Sequence, residues 1–183
     1  MKENEKMSRR GFTIIEVSLV LAIAGLIFLM IFIALPALQR SRRDAERRED
    51  MMFLISELKK FQTNNRGALP SSTNNNAPVT YNEDTTTTND WAGFYKNYLG
   101  KSFEDPDGGM YVLNIAPCGG ASAVGAECNN NTSIGNATFP NSYTVNIVLQ
   151  ASCNGEKAVA SNNPRKLAVI YKLEGGGIYC GNT

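Results

Sequence analysis

The 183-residue sequence contains no histidine. This absence excludes catalytic triads that use a histidine base and metal sites that use imidazole ligands. The only run of three glycines, Gly175–Gly177, is followed by no lysine and no expected helix, so it does not match a phosphate-binding loop. Three acids, Glu104, Asp105 and Asp107, surround one turn, which is a commonplace arrangement. We therefore expect that the protein is not an enzyme and carries no cofactor.

Charge is nearly absent from one long stretch. The 27 residues 12–38 contain a single charged side chain, Glu16. As a helix, this stretch rises about 40 Å, enough to cross a hydrocarbon core about 30 Å thick. A carboxylate inside such a run is costly and normally has a partner. Since the run contains no lysine or arginine, we expect the partner to be Arg9, Arg10 or a new amino terminus.

The residues around Gly11 form a specific pattern. Residues 9–16 read RRGFTIIE and lead directly into the apolar helix. This segment resembles the cleavage and methylation site of type IV prepilins and pseudopilins. The resemblance implies that a prepilin peptidase cuts between Gly11 and Phe12 and that Phe12 becomes N-methylated. It also implies that Glu16 meets the Phe12 amine of a neighbouring subunit during assembly.

A twin-arginine export signal and a plain signal anchor are the alternatives for this N-terminus. The first needs a milder apolar region than residues 12–38 provide, and the second would have no role in a pilus. One departure from the pilin pattern concerns proline. Many pilins carry a helix-bending proline at the position of Ile33, whereas this chain has Pro36, so we expect a kink or local unwinding there.

The fold that the resemblance implies is α+β, the type IV pilin fold. In it, a long N-terminal helix packs on a C-terminal antiparallel β-sheet of about four strands. Residues 1–11 are the prepilin leader, 12–38 the transmembrane or filament-core helix, and 39–66 the amphipathic half of the helix. Residues 67–183 form the globular extracytoplasmic αβ-loop and β-sheet domain.

Helical periodicity locates the face of the amphipathic half that packs on the sheet. Its predicted stripe consists of Ala45, Met52, Ile55, Leu58 and Gln62, with Phe61 beside it. Opposite charges four residues apart between Arg40 and Arg48 indicate a solvated face or, in a filament, contacts between subunits. Asn64 to Gly67 end the helix.

The C-terminal part shows the alternation that is typical of strands. The three segments are Met110–Ala116, Tyr143–Leu149 and Leu167–Leu173, and a glycine turn leads into a last strand, Ile178–Cys180. Before them, a polar stretch rich in threonine and asparagine, residues 71–89, predicts an exposed loop. Residues 90–99 predict a short helix with Asn89 or Asp90 as its N-cap.

All four cysteines lie between residues 118 and 180. An even number of cysteines in one small domain indicates two disulfides in an oxidising compartment. A zinc site is the alternative, but the spacings of 9, 24 and 26 residues lack the close pairs that zinc sites use. Among the three possible pairings we favour the sequential one, Cys118–Cys128 and Cys153–Cys180.

The turn at residues 103–109 is a candidate site for calcium. Its Asp-Pro-x-Gly…Tyr pattern is similar to the turn before the sheet in pseudopilins and some Gram-positive-type pilins, a branch in which a nearby loop can hold calcium. Asp105 and Asp107 offer oxygen ligands, but calcium takes six to eight. We favour an ordinary Asx-type turn and expect no metal.

These features together lead to an expected function. The resemblance implies a structural subunit of a type IV pilus for motility, such as twitching, or adhesion. A pseudopilin of a type II secretion or competence system is the alternative within the family, and a membrane-anchored extracellular binding module is the alternative outside it. The expected partners are further copies or other pilins, the prepilin peptidase, the pilus assembly machinery and the membrane.

Charge and cysteine content complete the expectations. Removal of the leader leaves 14 basic and 15 acidic side chains, a balance that indicates no nucleic-acid partner. The basic leader and the cysteines favour a single-pass protein with its N-terminus inside and its domain outside. After assembly, we expect the chain in a pilus on the cell surface.

Overall fold

A computed structural model of the protein describes residues 11–71, 78–118, 123–128 and 143–183. The chain divides into two compact units, Met1–Arg40 and Ser41–Thr183. Helix α1, Ile14–Asn64, contributes residues to both units. All strands of the described residues belong to the second unit.

The first unit consists of the apolar part of α1. The large apolar side chains of this part are 43–89% exposed between Ile14 and Leu38. Among the described residues, α1 is the one helix that is long and apolar enough to cross a membrane. The helix is continuous through Pro36, so the expected local unwinding is not observed. A proline removes one hydrogen bond of the helix, and the alanines and leucines on both sides are strong helix formers.

In the second unit, the buried face of α1 is displaced from the predicted stripe. The buried residues recur in steps of mostly three and four: Asp44, Arg47, Met51, Leu54, Ile55, Leu58 and Phe61. Ala45 and Met52, two residues of the predicted stripe, are exposed. The prediction was wrong there because the first two positions of the buried face are charged, and a search for apolar periodicity passes over them.

Among the residues that the structure describes, six strands follow α1: β1 Val112–Pro117, β2 Thr144–Leu149, β3 Ala151–Asn154, β4 Lys157–Ala160, β5 Leu167–Lys172 and β6 Ile178–Asn182. Four of them form a sheet in the order β1-β2-β5-β6. The pairs β2–β5 and β5–β6 are antiparallel, whereas β1 and β2 are parallel. The sheet is therefore mixed, and the expectation of an antiparallel sheet is wrong for this pair.

The length of the connection between β1 and β2 permits the parallel pairing. Parallel neighbours need a crossover of a dozen or more residues, and 26 residues separate Pro117 from Thr144. Residues 119–122 and 129–142 of this connection lie outside the described residues. The same holds for residues 72–77 of the predicted polar loop.

A hairpin that the sequence analysis missed covers the second face of the sheet. Strands β3 and β4 pair antiparallel through a turn in which Gly155 has a φ of 61°, a value that favours glycine. Buried residues of the hairpin and the sheet share one cluster: Cys128, Val148, Ala151, Ala158, Ala168 and Ile170. The face of the sheet opposite α1 is therefore covered where this hairpin lies.

The main core lies on the other side of the sheet. It joins the buried face of α1 to strand residues such as Leu113, Val145, Ile147 and Val169. The predicted short helix is present as α2, Trp91–Phe94, followed by a single π-helical turn, Tyr95–Leu99. Its N-cap is Asp90, whose Oδ1 accepts hydrogen bonds from Gly93 N and Thr87 Oγ1, both at 2.7 Å.

The four cysteines form the sequential pairs Cys118–Cys128 and Cys153–Cys180. The second disulfide joins the β3–β4 hairpin to the edge strand β6. The sequence separations are 10 and 27 residues, which correspond to stabilisations of about 2.7 and about 3.6 kcal/mol when only loop closure in the unfolded chain is considered.

We expect the double variant Cys153→Ser/Cys180→Ser to lose about 3–4 kcal/mol of unfolding free energy. Cys118→Ser/Cys128→Ser is expected to lose less, because its loop is shorter. Urea unfolding monitored by the fluorescence of Trp91, which is the single tryptophan and is 3% exposed, measures both losses. The reverse order of the two losses would contradict this account of the disulfides.

Candidate functional site

Residues 11–13, which contain the predicted cleavage site, precede helix α1 in the first unit. Phe12 is 89% exposed, and no atom lies within 4 Å of a Cβ built at Gly11. Helix α1 starts at Ile14, so Thr13 occupies the N-cap position. The peptide bond between Gly11 and Phe12 therefore precedes the helix and joins two exposed residues outside regular secondary structure.

Thr13 and Glu16 form a reciprocal pair at the start of α1. Glu16 Oε2 accepts hydrogen bonds from Thr13 N at 2.8 Å and from Thr13 Oγ1 at 2.9 Å. Glu16 N donates to Thr13 Oγ1 at 3.3 Å. This arrangement is a capping box, which satisfies amide groups that a helix start leaves without partners. The sequence analysis missed it, although the Thr-x-x-Glu spacing at residues 13–16 is its signal.

The capping box changes the interpretation of Glu16. The carboxylate was expected to find its partner outside the apolar run, but it has two donors within the chain. Both donors are neutral, however, so they orient the carboxylate without cancelling its charge. Thr13 and Glu16 both follow Phe12, so the box involves no residue of the predicted leader, residues 1–11.

A second candidate site lies in the second unit, where α1 meets two turns. We call it the Arg47 cluster, and it consists of Arg43, Asp44, Arg47, Asp105, Asp107 and Glu174. Arg47 is 4% exposed and holds Asp105 through two parallel bonds, Nε to Oδ2 at 2.8 Å and Nη2 to Oδ1 at 2.9 Å. Its Nη2 also donates to Asp107 Oδ2 at 2.7 Å.

Asp105 is the buried anion of the Arg47 cluster, with 2% of the residue exposed. Besides Arg47, its carboxylate accepts bonds from the Tyr171 hydroxyl at 2.9 Å and from Asp107 N at 3.0 Å. Burial by itself would raise the pKa of Asp105, but the Arg47 guanidinium and these two donors outweigh it, so the pKa lies below its usual value. Asp105 is therefore ionised at neutral pH.

These contacts bear on the weak calcium candidates. The bond from Asp107 N to Asp105 Oδ1 makes the turn an Asx turn, the alternative that we favoured. Arg47 already supplies positive charge to both Asp105 and Asp107. No group of three or more metal-binding side chains is found among the residues that the structure describes.

The turn between β5 and β6 binds the same face of α1. Asp44 accepts bonds from Glu174 N and Gly175 N, both at 2.8 Å. Arg43 donates to both oxygens of Glu174 at 2.8 and 2.9 Å. The close approach requires glycine at 175, because a Cβ there would lie 2.9 Å from Asp44 Oδ2. This part of the charged face, expected to be solvated or to contact other subunits, attaches α1 to the turn of its own chain.

The Arg47 cluster has the geometry of a structural element. Its charges are bonded to one another, and the cluster connects α1 to the turn before β1 and to the turn after β5. Next to it, the Tyr111 hydroxyl donates to Asp50 Oδ2 at 2.8 Å, and burial raises the pKa of Asp50. The cluster thus fixes the positions of these two turns on the segment of α1 that belongs to the second unit.

Comparison of the chain with protein-family models, curated proteins and solved structures finds no match. The features of the chain that bear on function are therefore those of its own residues. Those residues are the RRGFTIIE segment, the exposed apolar part of α1, and a disulfide-bonded second unit.

Proposed function

We propose that this chain is a structural subunit of a type IV pilus. In this proposal, a prepilin peptidase removes residues 1–11, Phe12 is N-methylated, and the mature chain enters a helical surface filament. The observation that carries the proposal is the exposed apolar part of α1 directly behind the RRGFTIIE segment. An apolar surface of this length needs either a lipid environment or further copies of itself.

The filament supplies a charge partner for Glu16. Cleavage creates a positive amine at Phe12, and Glu16 of a neighbouring copy pairs with it inside an apolar bundle. An ion pair is strong in such surroundings, while a single unpaired charge is costly. The capping box holds the Glu16 carboxylate in place at the helix start, so the pair sets the axial register between subunits.

Before assembly, the apolar part of α1 anchors the chain in the cell membrane as a single span. The length and composition of α1 support this step. The two disulfides support an oxidising compartment for the second unit. The N-terminus is then cytoplasmic, where the leader meets the peptidase and the assembly machinery.

A pseudopilin is the second candidate, and the turn at residues 105–108 favours it. Two disulfides and the polar stretch before α2 favour a pilus on the cell surface. The two functions differ in abundance: a major pilin dominates the material sheared from the cell surface, and a pseudopilin does not. A membrane-anchored binding module would show neither cleavage at Gly11 nor a polymer.

The Gly11→Leu variant tests the processing step. We expect the precursor to accumulate uncut in the membrane fraction, because the peptidase would meet a bulky side chain next to the bond that it cleaves. Mass spectrometry of the membrane and filament fractions measures this. Ser8→Leu is a matched control, since it adds the same side chain three residues earlier and is expected to be cut. A Phe12 amino terminus in the Gly11→Leu variant would rule out this assignment of the cleavage site.

A further inference from the structure

A basic cleft lies where the C-terminal end of α1 meets the connection between β4 and β5. Its volume is about 510 Å³, and four cationic side chains line it: Lys59, Arg66, Arg165 and Lys166. No acidic side chain of the described residues lines the cleft. None of the four cations forms an ion pair within the described parts of the chain. The cleft therefore concentrates positive charge in a unit whose overall charge is balanced.

Two contacts hold the basic cleft in shape. Gln62 Nε2 donates to the carbonyl oxygen of Arg165 at 2.7 Å and attaches the β4–β5 connection to α1. The Arg165 guanidinium lies against Gly67, where a Cβ would come within 2.9 Å of Nη1. Any side chain at position 67 would displace the Arg165 guanidinium. Glycine at this position therefore allows the guanidinium to lie at the cleft.

Arg66 has a backbone conformation that is unusual for its residue type. Its φ is 56°, in the left-handed region that glycine and asparagine adopt more readily than arginine. Such a conformation costs of order 1–3 kcal/mol, and an asparagine would reduce that cost.

We propose that the basic cleft binds the phosphates of a phosphodiester chain. Four cations, with no acidic side chain among the residues that line the cleft, match a ligand that carries several closely spaced negative charges. Two of the four are arginines, whose guanidinium groups present paired donors that fit phosphate oxygens. A ligand with one carboxylate would leave most of this charge uncompensated.

The lining of the cleft also indicates which parts of a nucleic acid it would not recognise. It contains no aromatic side chain and no large apolar side chain. Nucleobases bound without sequence preference usually stack on aromatic rings, so binding here involves the phosphates and not the bases. The binding is therefore independent of sequence and strongly dependent on salt. This inference does not depend on the pilus proposal, because the cleft lies wholly in the second unit.

The test measures binding of the full chain, in a non-ionic detergent, to two phosphodiester probes and one sulfated glycan. The probes are a short duplex DNA and poly(glycerol phosphate), and the glycan is heparin. We expect saturable binding to at least one phosphodiester at low salt, and which probe binds identifies the source of the ligand. With four contacts to duplex DNA, the slope of log K against log salt should be about −3 to −4.

The decisive variant is Arg165→Glu/Lys166→Glu, which reverses two charges of the cleft. We expect at least about tenfold weaker binding and a salt slope smaller in magnitude by about 2. The matched control is Arg48→Glu/Lys101→Glu, which makes the same charge change at exposed positions outside the cleft. The proposal is overturned if neither phosphodiester binds, if heparin binds more tightly than both, or if the control loses as much affinity.

A milder variant keeps the test valid if the charge reversal disturbs folding. Arg66→Asn removes one cation and preserves the left-handed backbone. We expect the protein to be at least as stable as the wild type, and its binding to weaken with a salt slope smaller by about 1. Unchanged binding in a folded Arg66→Asn protein would contradict the role of Arg66 in the cleft.

Discussion

Replacement of Arg47 by alanine is expected to destabilise the second unit by about 3–5 kcal/mol, the usual cost of leaving a buried charge without its partner. Asp105 is 2% exposed and would lose both parallel bonds to the guanidinium. The remaining donors, Tyr171 and Asp107 N, are neutral and cannot replace the positive charge. Urea unfolding of the full chain in detergent, monitored by Trp91 fluorescence, measures the loss.

Two further variants distinguish the effect of breaking the buried Arg47–Asp105 pair from the effect of removing any cation of the cluster. Arg43→Ala removes a neighbouring cation that is one-third exposed and binds Glu174, so we expect a much smaller effect. Arg47→Met/Asp105→Asn removes both buried charges and is expected to recover part of the stability that Arg47→Ala loses. Equal losses in Arg43→Ala and Arg47→Ala would contradict this account of the cluster.

The pH dependence of the unfolding free energy also tests whether Arg47 stabilises the ionised form of Asp105. The pKa of Asp105 is lowered in the folded protein, so its contribution is present above the unfolded value, about 3.9. That contribution is lost as the pH falls through the folded pKa. In Arg47→Ala the pKa of Asp105 should rise instead, since burial is no longer offset. The difference in stability between the two proteins should therefore shrink as the pH falls from above the raised pKa of Asp105 in the variant to below its lowered pKa in the wild type.

The second large effect is expected at Glu16. The Glu16→Val variant should remain stable in the membrane, because valine removes the only charge from residues 12–38. Its incorporation into filaments should fall at least about tenfold, since loss of a close ion pair in an apolar bundle costs more than the 1.4 kcal/mol that a factor of ten requires. Immunoblots of sheared surface material and of membrane fractions measure both quantities.

Glu16→Gln separates the charge of Glu16 from its capping role. A glutamine at this position can still accept the two bonds from Thr13, because capping boxes use either residue, but it carries no charge to pair with an amine. We expect this variant to assemble as poorly as Glu16→Val. Normal filament yield from Glu16→Gln would mean that Glu16 acts as a helix cap, and the register mechanism would be wrong.

Much of the fold follows from local patterns in the sequence. The apolar run was predicted from its composition, and strands β1, β2 and β5 from the alternation of their side chains. The end of α1 at Asn64 and strand β6 were predicted from the turn residues next to them. The sequential cysteine pairing was also favoured in advance. In contrast, the parallel pairing of β1 and β2 depends on a long connection, whose path no local pattern encodes.

The candidate sites were harder to predict, because they are built from charged residues whose burial and contacts do not show in the sequence pattern. Asp44 and Arg47 begin the buried face of α1, but charged residues are normally exposed. The predicted stripe was therefore wrong in its first part, at Ala45 and Met52, and right from Ile55 onward. The capping box was visible in Thr13 and Glu16 and was overlooked because the carboxylate was considered only as a charge. The basic cleft combines residues about a hundred positions apart, which overall charge balance cannot reveal.

The central claim is that the chain polymerises after removal of its leader. The most direct test is the intact mass of the subunit in filaments sheared from the cell surface, with a fragment spectrum of its amino terminus. The account predicts a chain that begins at Phe12 and carries one methyl group on the Phe12 nitrogen. A polymer built from chains that still carry residues 1–11 would contradict it.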